Sequence, residues 1–245
     1  MARGHSGGLL LFKYLATAAL ALLASCASPP PPQNVYLSKD YVPPAPNAMV
    51  LLLHVPADEA VYQAGDRLAQ HIATSMLTAA GYRVGIVSAD DYAVLLAAER
   101  QRLAQGAVQP SIQDWAKADF KALSTLASVA GRQTGSPMLV RTRLLTRSTI
   151  VRQRTAAWDG QTRQLLYVGM NRDYASVRGT GSGVSLEVVA VDVSGKLLAR
   201  SFGGVTLPYL YQAEDGTAVE RTDLFADDRE LKEGAAIALT PLLPK

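Results

Sequence analysis

The stretch Met49-Val50-Leu51-Leu52-Leu53-His54-Val55 decides the fold, because it is a short continuous apolar run. Such a run is typical of a strand buried on both faces of a sheet. In residues 59–80 apolar side chains recur at spacings of three and four, which predicts a long amphipathic helix that ends at Gly81. Residues 83–87 predict a second strand, and residues 92–105 predict a second helix. This order predicts a parallel βαβ start with a right-handed crossover.

The rest of the chain predicts one more long helix followed by antiparallel strands. Ser111-x-x-Asp114 has the spacing of a helix start. Residues 138–154 are rich in β-branched side chains, which favours strands. Ser194-Gly195 separates two apolar runs and predicts a hairpin, and residues 227–239 predict a last helix. The predicted fold class is α/β: a three-layer sandwich with a mixed sheet and with antiparallel hairpins in the C-terminal half.

The N-terminal residues predict export and lipid attachment. A positive segment with Arg3 and Lys13 precedes a mostly apolar stretch that ends at Leu23-Ala24-Ser25-Cys26, which is typical of a signal peptide. These four residues resemble a bacterial lipobox, in which the cysteine thiol is acylated and the preceding peptide is removed. Residues 1–25 are therefore predicted to be a signal peptide and Cys26 the lipid attachment site. The alternative is an uncleaved anchor helix with an incidental cysteine.

The lipobox resemblance also implies a location. Ala27 follows the cysteine, which in bacterial lipoproteins favours the periplasmic face of the outer membrane. Cys26 is the only cysteine, so the chain cannot form an internal disulfide. Loss of Arg3 and Lys13 with the signal peptide reduces 24 basic residues to 22, against 21 acidic ones. This balance gives no support to a nucleic acid partner.

Residues 26–47 predict a linker, because they contain a run of four prolines and three further prolines. Proline-rich segments form semi-rigid stalks, so a fully extended linker could reach about 60 Å from the membrane. The linker either extends the domain toward a partner away from the membrane or only separates the domain from the membrane. Residues 48–245 are predicted to form a single α/β domain with an arginine-rich β elaboration at about 138–182.

Arginine dominates the centre of the chain. Residues 132–178 contain nine arginines and no lysine, with only Asp159 and Asp173 as acidic residues. The even spacing of neighbouring arginines predicts that they share one face of strands. The candidate partner-binding face consists of Arg141, Arg143, Arg147, Arg152 and Arg154. It could bind a polyanion, a phosphorylated lipid or an acidic protein surface. Alternatively it is a solvated face, neutralised in part by the eight acidic residues of 214–233.

Two segments resemble a known superfamily. The pattern of residues 50–99, and the strand, Asp-x-x-Gly turn and return strand of residues 184–205, resemble the curli-secretion channel lipoproteins. They are also similar to the lipoprotein activators of penicillin-binding proteins and to the N-terminal domain of the Tol-Pal β-propeller protein. The resemblance implies a three-layer α/β domain that binds or assembles other proteins without catalysis. The arginine-rich centre and Trp158-Asp159-Gly160, which predicts a turn between strands, have no counterpart there.

The sequence contains no recognisable catalytic or metal-binding pattern. His54 and His71 are the histidines of the predicted mature chain, and neither lies in a zinc-ligand spacing. Residues 179–183, Gly-Thr-Gly-Ser-Gly, precede a predicted strand, whereas a nucleophile elbow or a dinucleotide loop precedes a helix. They predict a mobile loop.

We therefore expect a non-catalytic, membrane-tethered binding or assembly factor of the cell envelope. It would have no cofactor and no metal, and it would bind an envelope protein partner. The alternative is a homo-oligomeric outer-membrane secretion channel, with residues 140–151 as the candidate spanning strand. An enzyme is the third hypothesis.

Overall fold

The computed structural model describes residues 34–106, 109–168, 178–212 and 217–244. The predicted signal peptide and Cys26 lie outside these residues. The helices within them are α1 (Gln63–Ala79), α2 (Ala89–Gly106), α3 (Ile112–Thr134) and α4 (Arg229–Leu239), with short 3-10 helices at Ala60–Tyr62 and Thr240–Leu242. The strands are β1 (Val35–Leu37), β2 (Met49–His54), β3 (Arg83–Val87), β4 (Met138–Arg152), β5 (Thr155–Trp158), β6 (Gln161–Gln164), β7 (Tyr167–Val168), β8 (Arg178–Asp192), β9 (Leu197–Thr206), β10 (Tyr209–Gln212) and β11 (Ala218–Glu220).

The principal sheet has the strand order β1-β9-β8-β4-β2-β3, and β5 and β6 continue from β4. Strand β2 pairs in parallel with both β3 and β4, whereas β4, β8, β9 and β1 pair antiparallel. A smaller sheet has the order β11-β10-β7. The predicted α/β class is confirmed.

The apolar run that predicted β2 serves two hydrophobic cores, because successive side chains of a strand point to opposite faces. Val50 and Leu52 lie in one core together with side chains of α1 and α4. Leu51 and Leu53 lie in the other core with side chains of α2 and α3. All four side chains are buried, which explains why no position in this run is polar before His54.

Local sequence signals set the ends of the helices. Ser111 caps α3 through a reciprocal hydrogen-bonding arrangement with Asp114, as its spacing predicted. Gly135 ends the same helix in the left-handed conformation, with φ 71°. Gly81, with φ 90°, follows α1 in the same way. None of the helices in the described part of the chain is long and apolar enough to cross a membrane.

The structure differs from the predicted domain boundaries at two places. Within the predicted linker, Val35–Leu37 form β1 and pair with β9, because the residues after the proline run are β-branched and aromatic. The folded part therefore begins before Ala48. Residues 138–182, predicted to be an arginine-rich β elaboration, also include a central strand of the sheet, because β4 pairs with β2 on one side and with β8 along its whole length. The candidate spanning strand, residues 140–151, lies within β4.

The glycine-rich segment 179–183 belongs to β8, so the predicted mobile loop is wrong for these residues. A Cβ atom on Gly183 would lie 2.7 Å from the indole of Trp158, so the absence of a side chain leaves room for that ring. The indole Nε1 donates a hydrogen bond to the carbonyl of Val184 at 3.3 Å. Asp159 and Gly160 have positive φ between β5 and β6, and this agrees with the predicted turn.

Candidate functional site

Strands β4, β8 and β9 bring charged side chains together on one face of the sheet. In the register of the sheet, Arg143 lies opposite Glu187, and Glu187 lies opposite Phe202. One row further along, Arg141 and Arg200 flank Val189 on its two sides. Because residues two apart share a face, this register places three arginines around one carboxylate.

Glu187 is the centre of this cluster and has no solvent-exposed surface. Its Oε2 accepts hydrogen bonds from Nη2 of Arg141 at 3.0 Å and from Nε of Arg143 at 2.6 Å. Its Oε1 accepts a hydrogen bond from Nε of Arg200 at 2.9 Å. Charge-assisted hydrogen bonds of this kind hold the guanidinium groups in fixed positions. We call Glu187, Arg141, Arg143 and Arg200 the arginine cluster.

Arg141 connects the arginine cluster to the helices. Its Nη1 donates hydrogen bonds to Oδ2 of Asp119 at 2.6 Å and to the hydroxyl of Tyr92 at 3.3 Å. The Tyr92 hydroxyl in turn donates to Oδ1 of Asp119 at 2.5 Å. Arg141 therefore links β4 to α2 and α3, and only 3% of its surface is exposed. The Arg141 Nε is buried without a hydrogen-bond partner in the described structure.

The charges in this cluster shift its pKa values. Burial raises the pKa of Glu187, but the opposing charges of Arg141, Arg143 and Arg200 outweigh it and hold the pKa below its ordinary value. The same competition between burial and the Arg141 charge lowers the pKa of Asp119. Burial, aided by the hydrogen bond to Asp119, raises the pKa of Tyr92 to about 12. Both carboxyl groups are therefore ionised at neutral pH.

A further ion pair joins β4 to the β5–β6 turn. Asp159 accepts hydrogen bonds from Nε of Arg147 at 3.0 Å and from Oγ of Ser185 at 2.7 Å. The guanidinium of Arg147 also stacks on the ring of Phe202, 4.1 Å from its centroid, a favourable cation–π contact. The β5–β6 turn, which the sequence predicted, thus supplies a counter-ion that the sequence analysis did not assign.

The structure divides the five arginines of the predicted partner-binding face. Arg141 is buried and paired with Asp119 and Glu187, so it is not an exposed contact residue. Arg143 and Arg147 are partly exposed and paired. Arg152 is the exposed last residue of β4 and Arg154 lies in the exposed turn that follows, apart from the arginine cluster. The predicted neutralisation by residues 214–233 does not apply to the cluster, whose counter-ions are Glu187 and Asp119.

A groove of about 450 Å³ lies between α3 and the sheet, beside the arginine cluster. Four arginines line it: Arg100, Arg141, Arg143 and Arg200. Its apolar lining comes from Ile112, Trp115, Ala116, Phe120, Leu123, Val189 and Leu197, and Asp119 completes it. Asp58 and Glu59 line the adjoining cavity, which shares Arg100, Asp119 and Arg143 with the groove. Among the residues that line the groove itself, with Glu187 included, four guanidinium groups face two carboxylates, which leaves two net positive charges. The groove is therefore suited to an anion.

A larger cleft, of about 1200 Å³, lies between the ends of α2 and α3 and the Ser194-Gly195 turn. Two of its charged side chains are already engaged by carboxylates of their own helix: Arg102 pairs with Glu99, and Lys117 pairs with Asp114. These are exposed pairs, which contribute little to stability or to binding. In the described part of the chain, no group of three or more histidine, cysteine, aspartate or glutamate side chains could hold a metal ion.

His54 lies in a polar contact that its sequence spacing did not reveal. Its Nδ1 is 3.0 Å from Oγ1 of Thr142, and its Nε2 is 3.1 Å from Oδ1 of Asp66. All three side chains are buried, and Asp66 also accepts a hydrogen bond from the backbone N–H of Ala57. These contacts join β2, β4 and α1.

The sequence pattern did not identify Glu187, Asp119 and Arg200 of the ion-pair network, nor Arg100 and Trp115 of the groove. A usable signal existed for Glu187, because it is the one charged residue between Val184 and Val191 in a strongly apolar strand. A charge in such a run requires a partner. Neither Asp119 nor Arg200 has an unusual local context, and their roles follow only from the packing of α3 and β9 on β4.

No protein-family model matches the chain, and no curated protein matches it. Solved structures of PelC from Paraburkholderia phytofirmans, described as a dodecamer, are among its structural neighbours. The PelC structure in space group P6 is 13% identical, covers 86% of this chain and 97% of its own, and has a TM-score of 0.38. A single-residue variant of the same dodecamer is 13% identical, covers 86% of this chain and 98% of its own, and has a TM-score of 0.39.

Proposed function

We propose that this chain is a membrane-tethered periplasmic lipoprotein that binds an anionic partner in the cell envelope without catalysing a reaction. The observation that carries the proposal is the groove beside the arginine cluster, where two net positive charges line a concave surface. Glu187 fixes three of the guanidinium groups through short hydrogen bonds. Preorganised donors lose little conformational entropy when a partner binds, which favours affinity.

We also propose that the domain has three layers, with helices on both faces of the sheet. A three-layer α/β domain with a parallel βαβ start is supported by the parallel pairing of β2 with β3. The two cores on opposite faces of β2 support it as well. In this arrangement α3 forms one wall of the groove and the sheet forms its floor.

The tether is part of the proposal and rests on the lipobox at Cys26. Because β1 begins at Val35, eight residues separate it from the acylated cysteine. At about 3.5 Å per residue they span at most about 30 Å, half the distance predicted for the complete linker. The body would therefore lie close to the periplasmic face of the outer membrane.

A photocrosslinking experiment tests the binding function. In the full chain, Trp115, which lines the groove, is replaced by p-benzoylphenylalanine, and cells are irradiated before intact-mass analysis of the purified protein. We expect an adduct, and we expect its yield to fall at least fivefold when Arg100→Gln and Arg200→Gln are added. The double variant Arg152→Gln and Arg154→Gln is the matched control, because it also removes two positive charges, at exposed positions away from the groove, and it should retain the adduct.

Absence of an adduct, or an equal yield in all variants, would contradict a binding function for the groove. Arg100 is suited to this test because it is exposed and has no ion-pair partner in the described structure. Its substitution should leave the fold intact, and circular dichroism checks this.

A further inference from the structure

We propose that the ligand of the groove is a phosphate monoester that carries an apolar substituent. This inference rests on the proposed binding function and names the chemical class of the partner. The net charge of the groove, its remaining hydrogen-bond donors and its apolar wall support this ligand class.

The charge of the groove matches a phosphate monoester. Arg100, Arg141, Arg143 and Arg200 oppose Asp119 and Glu187, so two positive charges remain. A phosphate monoester carries about −1.5 to −2 charges at pH 7. A single carboxylate would neutralise only one of the two charges. The electrostatic balance therefore favours the phosphate monoester.

The arginine cluster also retains donors for the phosphate oxygens. In the described structure Arg143 donates only through Nε to Glu187, so its two Nη groups remain. Arg200 uses Nε and Nη2 on Glu187, and its Nη1 remains. Their side chains are 33% and 49% exposed, respectively. Two neighbouring guanidinium groups with unused N–H donors fit the oxygens of a phosphate.

Two further arginines add to this capacity. Arg100 has no ion-pair partner among the described residues and lines the same groove from α2. Arg141, which lines it from β4, has a buried Nε that lacks a hydrogen-bond partner in the described structure. The Arg141 Nε has almost no accessible surface, so Arg141 contributes its charge to the groove, and direct contact with the phosphate falls to Arg100, Arg143 and Arg200.

The opposite wall of the groove is apolar and belongs to α3. Ile112 is 87% exposed and Trp115 is 37% exposed, and Phe120 continues the wall toward the sheet. An inorganic phosphate would leave these side chains in water. An apolar substituent on the phosphate would cover them and gain hydrophobic free energy. The groove therefore selects an ester over the free ion.

Isothermal titration calorimetry of the detergent-solubilised full chain tests this assignment. The probes are n-butyl phosphate, inorganic phosphate and butyrate, each corrected with a detergent blank. We expect n-butyl phosphate to bind at least tenfold more tightly than either of the other two. Arg200→Gln and Arg100→Gln should each weaken this binding at least fivefold, whereas Arg154→Gln should change Kd less than twofold.

A further variant tests the contribution of the apolar substituent apart from that of the phosphate, and it leaves every ion pair intact. Trp115→Ala should raise the Kd of n-butyl phosphate at least threefold and change the Kd of inorganic phosphate less than twofold. The inference is overturned if n-butyl phosphate does not bind, if inorganic phosphate or butyrate binds as tightly, or if the groove variants bind as the wild type does.

A nanodisc experiment distinguishes a membrane lipid from a soluble molecule as the source of the phosphate monoester. The lipidated protein is reconstituted in phosphatidylcholine nanodiscs with and without phosphatidic acid, whose headgroup is a phosphate monoester. If a membrane lipid is the source, phosphatidic acid should raise the apparent Kd of n-butyl phosphate at least threefold by competition. If a soluble ester is the source, Kd should be unchanged, and both results uphold the ligand class.

The photocrosslinking experiment separates failure of this inference from failure of the proposed function. An arginine-dependent adduct at position 115 without n-butyl phosphate binding would leave the binding function in place and reject the phosphate monoester. Absence of both would reject the function itself.

Discussion

Nη2 of Arg141 lies 3.0 Å from Oε2 of Glu187, and neither side chain has more than 4% of its surface exposed. Two further guanidinium groups, from Arg143 and Arg200, contact the same carboxylate. Removal of one partner from a buried ion pair leaves an uncompensated charge that water cannot solvate. The arginine cluster therefore couples the stability of the sheet to the electrostatics of the groove.

Neutralisation of Glu187 should destabilise the protein strongly. In Glu187→Gln the amide retains the shape of the side chain but directs an N–H₂ group toward guanidinium donors. We expect the free energy of unfolding to fall by about 3–5 kcal/mol, measured by urea denaturation. Glu220→Gln, a substitution at an exposed position of β11, is the matched control and should change the free energy of unfolding by less than about 0.5 kcal/mol. An equal effect of the two variants would contradict the central role of Glu187.

The lowered pKa of Glu187 predicts how this difference depends on pH. A carboxyl group whose pKa is lower in the folded state stabilises the protein above its unfolded pKa, about 4.3. That contribution is lost as the pH falls through the folded pKa. The difference in unfolding free energy between wild type and Glu187→Gln should therefore narrow as the pH falls from 7 to 3. Urea titrations at four pH values measure it, and a constant difference would refute the pKa shift.

Close packing between β9 and α4 predicts that Gly203 cannot be replaced. A Cβ atom at Gly203 would overlap the carbonyl oxygen of Gly234. Because that neighbour is backbone, α4 would have to move away from the sheet. We expect Gly203→Ala to lower the free energy of unfolding by about 3 kcal/mol, at the upper end of overpacking effects.

The control for Gly203→Ala is Gly179→Ala on β8, where a Cβ atom meets nothing within 4 Å. The control should be neutral or slightly stabilising, because alanine restricts the unfolded chain. A comparable thermal unfolding midpoint for the two variants would show that α4 does not pack on β9 as described.

The buried contact of His54 predicts a further effect on stability. Thr142→Val preserves the size of the side chain but removes the oxygen that lies 3.0 Å from Nδ1 of His54. A buried polar group without its partner costs about 1–3 kcal/mol. Thr162→Val, at an exposed position of β6, should have no measurable cost. Chemical denaturation of both variants checks this, and equal stability would mean that the hydroxyl does not serve His54.

Local sequence patterns were sufficient to predict much of the fold. The continuous apolar run of β2, the capping residues of α3 and the hairpin at Ser194-Gly195 each act through neighbours a few residues away. Strand β1 was not predicted, because three residues that follow a proline run gain their structure only by pairing with β9, more than 160 residues later.

The site was less predictable than the fold. Alternation in the arginine-rich segment correctly put Arg141 and Arg143 on one face, but it could not tell which face α3 covers. Asp119, on α3, is 22 residues from Arg141, and Glu187 is 46 residues from it. Such counter-ions depend on strand register and helix packing. For this reason a predicted contact surface became, at Arg141, a buried ion pair.

The tether gives a prediction that is independent of the groove. If Cys26 is acylated, Cys26→Ser should move the protein from the membrane fraction to the soluble fraction, because acyl chains contribute about 0.8 kcal/mol per buried methylene. Ultracentrifugation and immunoblotting measure the distribution, and Ser28→Ala is a control that leaves the lipobox intact. An unprocessed Cys26→Ser protein that still sediments with membranes would instead support an anchor helix. Because the groove does not require the lipid, n-butyl phosphate should bind Cys26→Ser with an unchanged Kd.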